Sequence, residues 1–145
     1  MKHYLFFQGK KNGLQKNKCT NMNECPFCNI DPERVVDSCE LYVVIRDQYP
    51  VTRLHTLIIP KRHVSSFFDL NDAERDALLP LLQRQKINLE NADSEITGFN
   101  VGVNIGAEAG QTIFHCHIHL IPRRKGDTAE PRGGVRGVIP EKQSY

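Results

Sequence analysis

No run of apolar residues in this 145-residue sequence approaches the roughly 18 that a membrane-spanning helix requires. The apolar stretch at Leu5-Phe6-Phe7 is also too short for the core of a secretion signal, so we expect neither a membrane span nor a leader. An excess of one charge is lacking too, because 19 basic and 17 acidic residues leave a formal net charge of +2. This balance gives no reason to expect binding to bulk nucleic acid.

The number of cysteines is odd, and their spacing is irregular. The five are Cys19, Cys25, Cys28, Cys39 and Cys116. An odd count without regular spacing argues against a framework of disulfides. We therefore expect a reducing, cytoplasmic environment.

Three regions differ in composition. Residues 1–24 set five lysines among Asn, Gln and Gly with little apolar patterning, which predicts a flexible basic arm. Residues 25–124 have the pattern of a compact α+β domain, and residues 125–145 form an Arg-rich tail. Guanidinium groups near histidines suit binding of a phosphate-bearing ligand. The alternative interpretation is that the tail binds nothing and is solvated and mobile. The basic residues concerned are Arg123, Arg124, Lys125, Arg132 and Arg136.

Apolar patterning predicts four strands and one long helix. Asn71 and Glu74 have the spacing of a capping box and predict a helix that runs to about Asn91. Pro80 falls inside this helix and should kink it or move its start. The predicted strands are Leu41–Ile45, Leu54–Ile59, Phe99–Ile105 and Ile113–Ile121.

Three histidines alternate with apolar residues at His115-Cys116-His117-Ile118-His119. On a strand the three imidazoles would share one face at about 6.6 Å spacing. The residues between them, together with Leu120, would face the core. Imidazole suits nucleophilic, acid–base or metal chemistry near neutral pH. A half-buried strand with polar residues on its wet face is the plainer alternative, but three histidines in five positions are improbable by chance.

A metal site is predicted by Cys25 and Cys28, which form a Cys-x-x-Cys pair, and by His63, which follows a strand. Two thiolates and two imidazoles make a closed, tetrahedral and therefore structural zinc site. The residues alone leave the fourth ligand open among His55, His115, His117 and His119. A thioredoxin-like redox role is disfavoured because no βαβ pattern surrounds the pair.

The segment His115–Ile121 resembles the His-φ-His-φ-His-φ-φ signature of the histidine triad (HIT) superfamily, where φ is apolar. Leu54–His63 is similar to the family's segment that carries a fourth active-site histidine. Asn104 and Gly110-Gln111-Thr112 match the loop before the triad. The resemblance covers roughly residues 25–124, and Pro131–Arg136 looks like the tail of bacterial members labelled dinucleoside polyphosphate hydrolases.

The resemblance implies a HIT-like α+β fold, with a five-stranded antiparallel sheet, one long and one short helix, and pairing into a homodimer. It implies hydrolysis or transfer of a nucleoside monophosphate from a dinucleoside polyphosphate or related conjugate. His117 would be the nucleophile and would form a covalent nucleotidyl-histidine. The implied structural zinc ligands are Cys25, Cys28, His63 and His115.

Further roles follow from the same resemblance and from the chemistry of the side chains. His119, Gln111 and Thr112 would hydrogen-bond the phosphoryl oxygens, assisted by backbone N–H groups of the loop at Gly110. His55 would orient the histidine row, Asp47 would bind the ribose, and Asn104 would hold phosphate or sugar. Because Asp47 and Glu108 are isolated carboxylates, Mg²⁺ is expected to accompany the substrate and not to occupy a dedicated site.

Two other functions remain open at this point. The chain could be a nucleotide-binding or sensing module with little turnover. It could also be a zinc-dependent metallohydrolase in which the histidine row holds a catalytic zinc and activates water. The leaving group is not fixed either, because dinucleoside polyphosphates, amine-linked nucleotides and sugar nucleotides share the same half-reaction.

Overall fold

The fold is a single antiparallel sheet with one long helix, in a computed structural model that describes residues 22–145. The sheet order is β1-β2-β3-β5-β4. One α-helix, α1 (Asp72–Ala92), connects β3 to β4. The strands are β1 (Val35–Ser38), β2 (Tyr42–Arg46), β3 (Thr56–Pro60), β4 (Ile96–Gly102) and β5 (Ile118–Arg124).

The predicted α+β class, five-stranded sheet and long helix are confirmed. The strand β1 was not predicted from the pattern, because it has four residues that alternate between half-buried and exposed. A short second helix was expected as well, but in the described residues the other helical segments are 3-10 turns of three to five residues. The predicted arm lies outside the described residues except for Met22–Glu24, which form one of these turns.

Helix α1 begins as the sequence predicts. The Asn71 side chain accepts a hydrogen bond from the Glu74 N–H, and the Glu74 carboxylate accepts one from the Asn71 N–H. Pro80 lies inside the helix without moving its start. No helix in the described part of the chain is both long and apolar enough to span a bilayer.

The sheet separates two clusters of buried side chains. Leu78 and Leu81 of α1 pack in one cluster with Ile58 and Ile118 of the sheet. The other cluster contains Phe27 and Leu57, together with Cys25, Ile45 and Ile59. His119 pairs with Leu57 across β5 and β3, so it lies on the sheet face opposite the helix.

The histidine row is only partly in a strand, which corrects the predicted strand Ile113–Ile121. His119 lies in β5, whereas His115 and His117 precede it. The Cys116 N–H donates to the Val64 carbonyl, which lies outside the strands, so regular pairing starts two residues later. The predicted inward residues are nevertheless buried, since Cys116, Ile118 and Leu120 are 2%, 3% and 2% exposed.

Candidate active site

The fold brings three of the predicted catalytic histidines into one cluster. The ring centroids of His117 and His119 are 5.1 Å apart, and those of His119 and His55 are also 5.1 Å apart. His55 immediately precedes β3, and β3 is the neighbour of β5 in the sheet. This pairing brings His55 to His119 although the two residues are 64 positions apart in the sequence.

His117 is held in one tautomer by a backbone group. Its Nδ1 lies 2.8 Å from the His115 carbonyl oxygen. A carbonyl only accepts, so the proton resides on Nδ1 and the Nε2 lone pair is available as a nucleophile. The Phe27 ring packs edge-on against this imidazole, with centroids 5.1 Å apart, and His117 is 8% exposed.

His55 and His119 are linked by a hydrogen bond whose direction can be assigned. The Val51 N–H donates to His55 Nδ1 at 3.2 Å. His55 must then carry its proton on Nε2, which donates to His119 Nδ1 at 2.9 Å. The His119 proton is therefore on Nε2, a buried atom without a partner among the described residues. A buried donor of this kind is expected to serve a ligand.

Burial keeps these two imidazoles neutral near pH 7. Desolvation, then the neighbouring His117 and His55, lower the pKa of His119 to about 4. Desolvation also lowers the pKa of His55, and Asp47, whose Oδ2 lies 3.4 Å from His55 Nδ1, opposes that shift. Single neutral tautomers therefore describe the pair over the physiological range.

The four predicted metal ligands also come together. His63 Nδ1 lies 3.1 Å from Cys28 Sγ, and His115 Nδ1 lies 3.5 Å from the Sγ atoms of both Cys25 and Cys28. The edges of a tetrahedral zinc site with thiolate and imidazole ligands measure about 3.6 Å, so the group fits this ion. His115 Nε2 donates to the Pro60 carbonyl at 2.8 Å, which leaves Nδ1 to face the thiols.

Gln111, in the loop before the three histidines, makes its hydrogen bonds within the protein, whereas the prediction gave it a phosphoryl oxygen as partner. Its side chain is 5% exposed and donates to the carbonyls of Ser65 and Ile113, while its oxygen accepts from the Gly106 N–H. Both polar atoms of this amide are thus engaged within the protein, and Gln111 shapes the loop. Thr112 is exposed beside it.

Gly110 has a left-handed backbone with φ of +83°, and a Cβ there would lie 3.9 Å from Asn104 Nδ2.

A cavity of about 470 Å³ lies next to His119 and is lined by Asn104. Val51 and the tail residues Val135 and Val138 line the same cavity. No lysine or arginine of the described residues lines it. A cavity of this size can hold a nucleotide-sized group.

The arginines from Arg123 onward make contacts within the chain. Arg123 pairs with Asp127, and Arg124 pairs with Asp93. The guanidinium groups of Arg132 and Arg136 lie 5.5 Å and 5.4 Å from the centre of the Tyr145 ring. These contacts within the chain account for the four arginines without a phosphate ligand.

Sequence reasoning missed several groups that shape the site. The Val51 N–H and the Pro60 carbonyl are backbone atoms, which the identity of a residue does not reveal. Asp93, an acid at the end of α1, carries no pattern that links it to the histidines. The sequence did carry a signal for Phe27, because this residue lies inside the Cys-x-x-Cys motif.

Comparison with known proteins agrees with this geometry. The HIT domain family matches residues 30–126. The chain is 36% identical over 115 residues to adenylylsulfatase HINT3 of Arabidopsis thaliana, covering 74% of this chain and 56% of that protein. It is 34% identical over 105 residues to an AP-4-A phosphorylase of Mycobacterium tuberculosis, and the match covers 72% of this chain and 53% of that protein. A zinc-bound histidine triad family protein from Mycobacterium smegmatis superimposes with a TM-score of 0.68 at 32% identity, covering 76% of this chain and 82% of that one. The chain thus belongs to the histidine triad family.

Proposed function

We propose that this protein cleaves a nucleoside monophosphate from a nucleotide conjugate through a covalent nucleotidyl-histidine. His117 Nε2 attacks the α-phosphorus, a P–N bond forms, and the bond to the leaving group breaks. Water then displaces His117 and releases the monophosphate. The observation that carries the proposal is the contact between His117 Nδ1 and the His115 carbonyl, because it fixes the lone pair on Nε2 beside the N–H of His119.

The unpartnered N–H of His119 is well suited to the phosphoryl group in this reaction. A neutral donor on a buried imidazole can hydrogen-bond a phosphoryl or leaving-group oxygen as negative charge develops there. His55 holds the tautomer that makes His119 a donor at that atom. We assign nucleotide binding to Asp47, Asn104, Gly110 and Thr112, with Gln111 holding the loop.

The relatives support a nucleotide conjugate as substrate. By their names, one acts on adenylyl sulfate and another on diadenosine tetraphosphate, which differ in leaving group. We propose a dinucleoside polyphosphate or a related conjugate for this chain, with Mg²⁺ accompanying the phosphates. Action as a homodimer in the cytoplasm belongs to the same proposal.

Zinc is proposed for Cys25, Cys28, His63 and His115 as a structural ion. Four protein ligands would close the coordination sphere and leave no position for water, so this site does not favour the metallohydrolase alternative. Asp47, His55 and His119 form a second group of potential ligands. In that group the direct hydrogen bond between the two imidazoles already uses one nitrogen of each.

The test is intact-protein mass spectrometry after brief incubation with diadenosine tetraphosphate, using His119→Ala to slow turnover. We expect an added nucleoside monophosphate that maps to His117, and no adduct in the matched double variant His117→Asn, His119→Ala. Wild-type turnover without any adduct would contradict the covalent route. Nucleotide binding without adduct or turnover would favour the sensing module.

A further inference from the structure

Leu54 has an unusual backbone conformation at the edge of the proposed active site. Its φ is +70°, and it is the only non-glycine residue with a positive φ among residues 22–145. Residues with a Cβ rarely adopt this conformation, so the surrounding structure must impose it. Leu54 immediately precedes His55, and its side chain packs against the cluster of Leu89, Ile96 and Leu120.

Three contacts hold the residues around Leu54 to distant parts of the fold. The Thr52 hydroxyl donates to the Pro122 carbonyl, and Arg124 Nη2 donates to the Arg53 carbonyl at 3.1 Å. The Arg53 guanidinium also donates to the Asp93 carboxylate. Strand β5 and the end of α1 therefore both fix this short loop.

Asp93 is the centre of these contacts. Its side chain is 3% exposed and accepts hydrogen bonds from Arg124 Nε at 2.9 Å and Arg124 Nη2 at 2.6 Å. The Glu95 N–H donates to its other oxygen. Arg53 is largely exposed, so Arg124 is the main partner. We call Asp93, Arg124 and Arg53 the Asp93 clamp.

The clamped loop contains a hydrogen-bond donor to His55. Val51 lies at its start, and the Val51 N–H donates to His55 Nδ1. This donation places the His55 proton on Nε2 and, through it, the His119 proton on the Nε2 that faces the cavity. A shift of the loop would release Val51 and let both imidazoles exchange tautomers.

We propose that Asp93 and Arg124 are positioning residues, which hold Leu54 in its left-handed conformation and so keep His119 as a donor at Nε2. This inference rests on the proposed nucleotidyl transfer. A purely structural clamp would affect stability alone. A positioning clamp also affects the chemical step, since misplacement of a reacting group lowers kcat more than it changes substrate binding.

The experiment compares Asp93→Asn with Asp37→Asn in the zinc-loaded full chain. Asp37→Asn is a matched control because it removes the same charge from a carboxylate that pairs with an arginine, Arg84. The hydrogen bonds of the Asp37 carboxylate go to Ser38, Arg84 and Gln85, none of which belongs to the clamp or to the loop. For Asp93→Asn we expect kcat to fall about tenfold or more with KM little changed. Long-range ¹⁵N–¹H spectra should show that His55 and His119 lose their single tautomers. Asp37→Asn should retain both properties.

Arg124→Lys keeps the proposal testable if Asp93→Asn folds poorly, and Leu54→Asn adds a rescue experiment if Asp93→Asn folds. Arg124→Lys retains the charge but cannot bridge Asp93 and the Arg53 carbonyl with a planar fork, so it should reproduce the effect. Asn tolerates a left-handed backbone better than Leu, so Leu54→Asn in the Asp93→Asn background should recover part of the single-tautomer signal.

A lower melting temperature with unchanged kcat and unchanged tautomers would overturn the proposal. So would a tautomer change of equal size in Asp37→Asn. If the wild-type protein turned over no nucleotide conjugate, the proposed function would fail, and the imidazole spectra alone would still decide the role of the clamp.

Discussion

Glu74 accepts two hydrogen bonds from the guanidinium of Arg62, at 2.9 Å from Nε and 2.7 Å from Nη2. Glu74 also closes the capping box at the start of α1 and is 2% exposed. Arg62 directly precedes His63, one of the proposed zinc ligands. One buried carboxylate thus joins the start of the helix to the segment that carries a metal ligand.

Replacing Glu74 by Gln should destabilise the protein in a pH-dependent way. The Arg62 hydrogen bonds hold the pKa of Glu74 below its ordinary value of about 4.5. The charged pair therefore contributes stability at pH values above about 4.5, and this contribution is lost as the pH falls through the lowered pKa. At neutral pH we expect Glu74→Gln to lower the melting temperature by roughly 5 °C, and the difference from wild type to shrink in acid.

Thermal unfolding followed by circular dichroism between neutral and acidic pH measures this effect. Glu90→Gln is the control, because Glu90 pairs with Lys86 on the exposed side of the same helix, where ion pairs contribute little. Equal melting temperatures for wild type and Glu74→Gln at neutral pH would contradict the prediction.

The neutral state of His119 should appear in the pH dependence of stability. Its pKa is about 4 in the folded protein and 6.5 in a model peptide. Between these values the unfolded chain binds more protons, so the free energy of unfolding should fall as the pH falls from about 6.5 to about 4. Replacing His119 by Gln should make this decline shallower, which denaturant titrations at several pH values can measure. An unchanged slope would show that other groups cause the decline.

Removal of zinc should lower the stability of the fold, and any loss of catalytic activity should result from that loss of stability. We expect about one zinc ion per chain by elemental analysis, and loss of both the ion and the melting transition in Cys25→Ser. Cys39→Ser is the matched control, since Cys39 lies outside the metal cluster, and it should keep its zinc. If chelation stopped turnover at once while the fold stayed intact, the metallohydrolase alternative would gain support.

The tail should influence which substrates fit beside His119. Gly133 has φ of +80°, and a Cβ there would lie 1.9 Å from the Gln143 carbonyl oxygen. Gly133→Ala should therefore displace the segment that carries Val135 and Val138 to the cavity, and raise KM for conjugates with large leaving groups.

Gly126→Ala provides the control for this variant. Gly126 has nearly the same φ, +81°, but a Cβ there would meet nothing within 4 Å. Both variants carry the backbone strain of a left-handed alanine, which costs about 1–2 kcal/mol. Only Gly133→Ala adds the clash, so an identical KM in the two variants would argue against a role for the tail in the cavity.

Short-range patterns in the sequence are enough to predict the elements that have local causes. The capping box at Asn71 and Glu74 depends on a spacing of three residues, and the buried alternation at Cys116, Ile118 and Leu120 depends on backbone period. These patterns, with the resemblance they carry, were sufficient to predict the sheet, the long helix and a set of candidate histidines and cysteines.

How the imidazoles divide their roles depends instead on long-range packing. The residues alone left the fourth metal ligand open, whereas the fold brings His115 within 3.5 Å of a thiol 90 positions away. The tautomers of His115 and His117 depend on the carbonyls of Pro60 and His115, and that of His55 on the Val51 N–H. Every residue carries the same backbone carbonyl, and every residue except proline carries the same N–H. Their contribution is therefore set by where packing places them, which no side-chain pattern records.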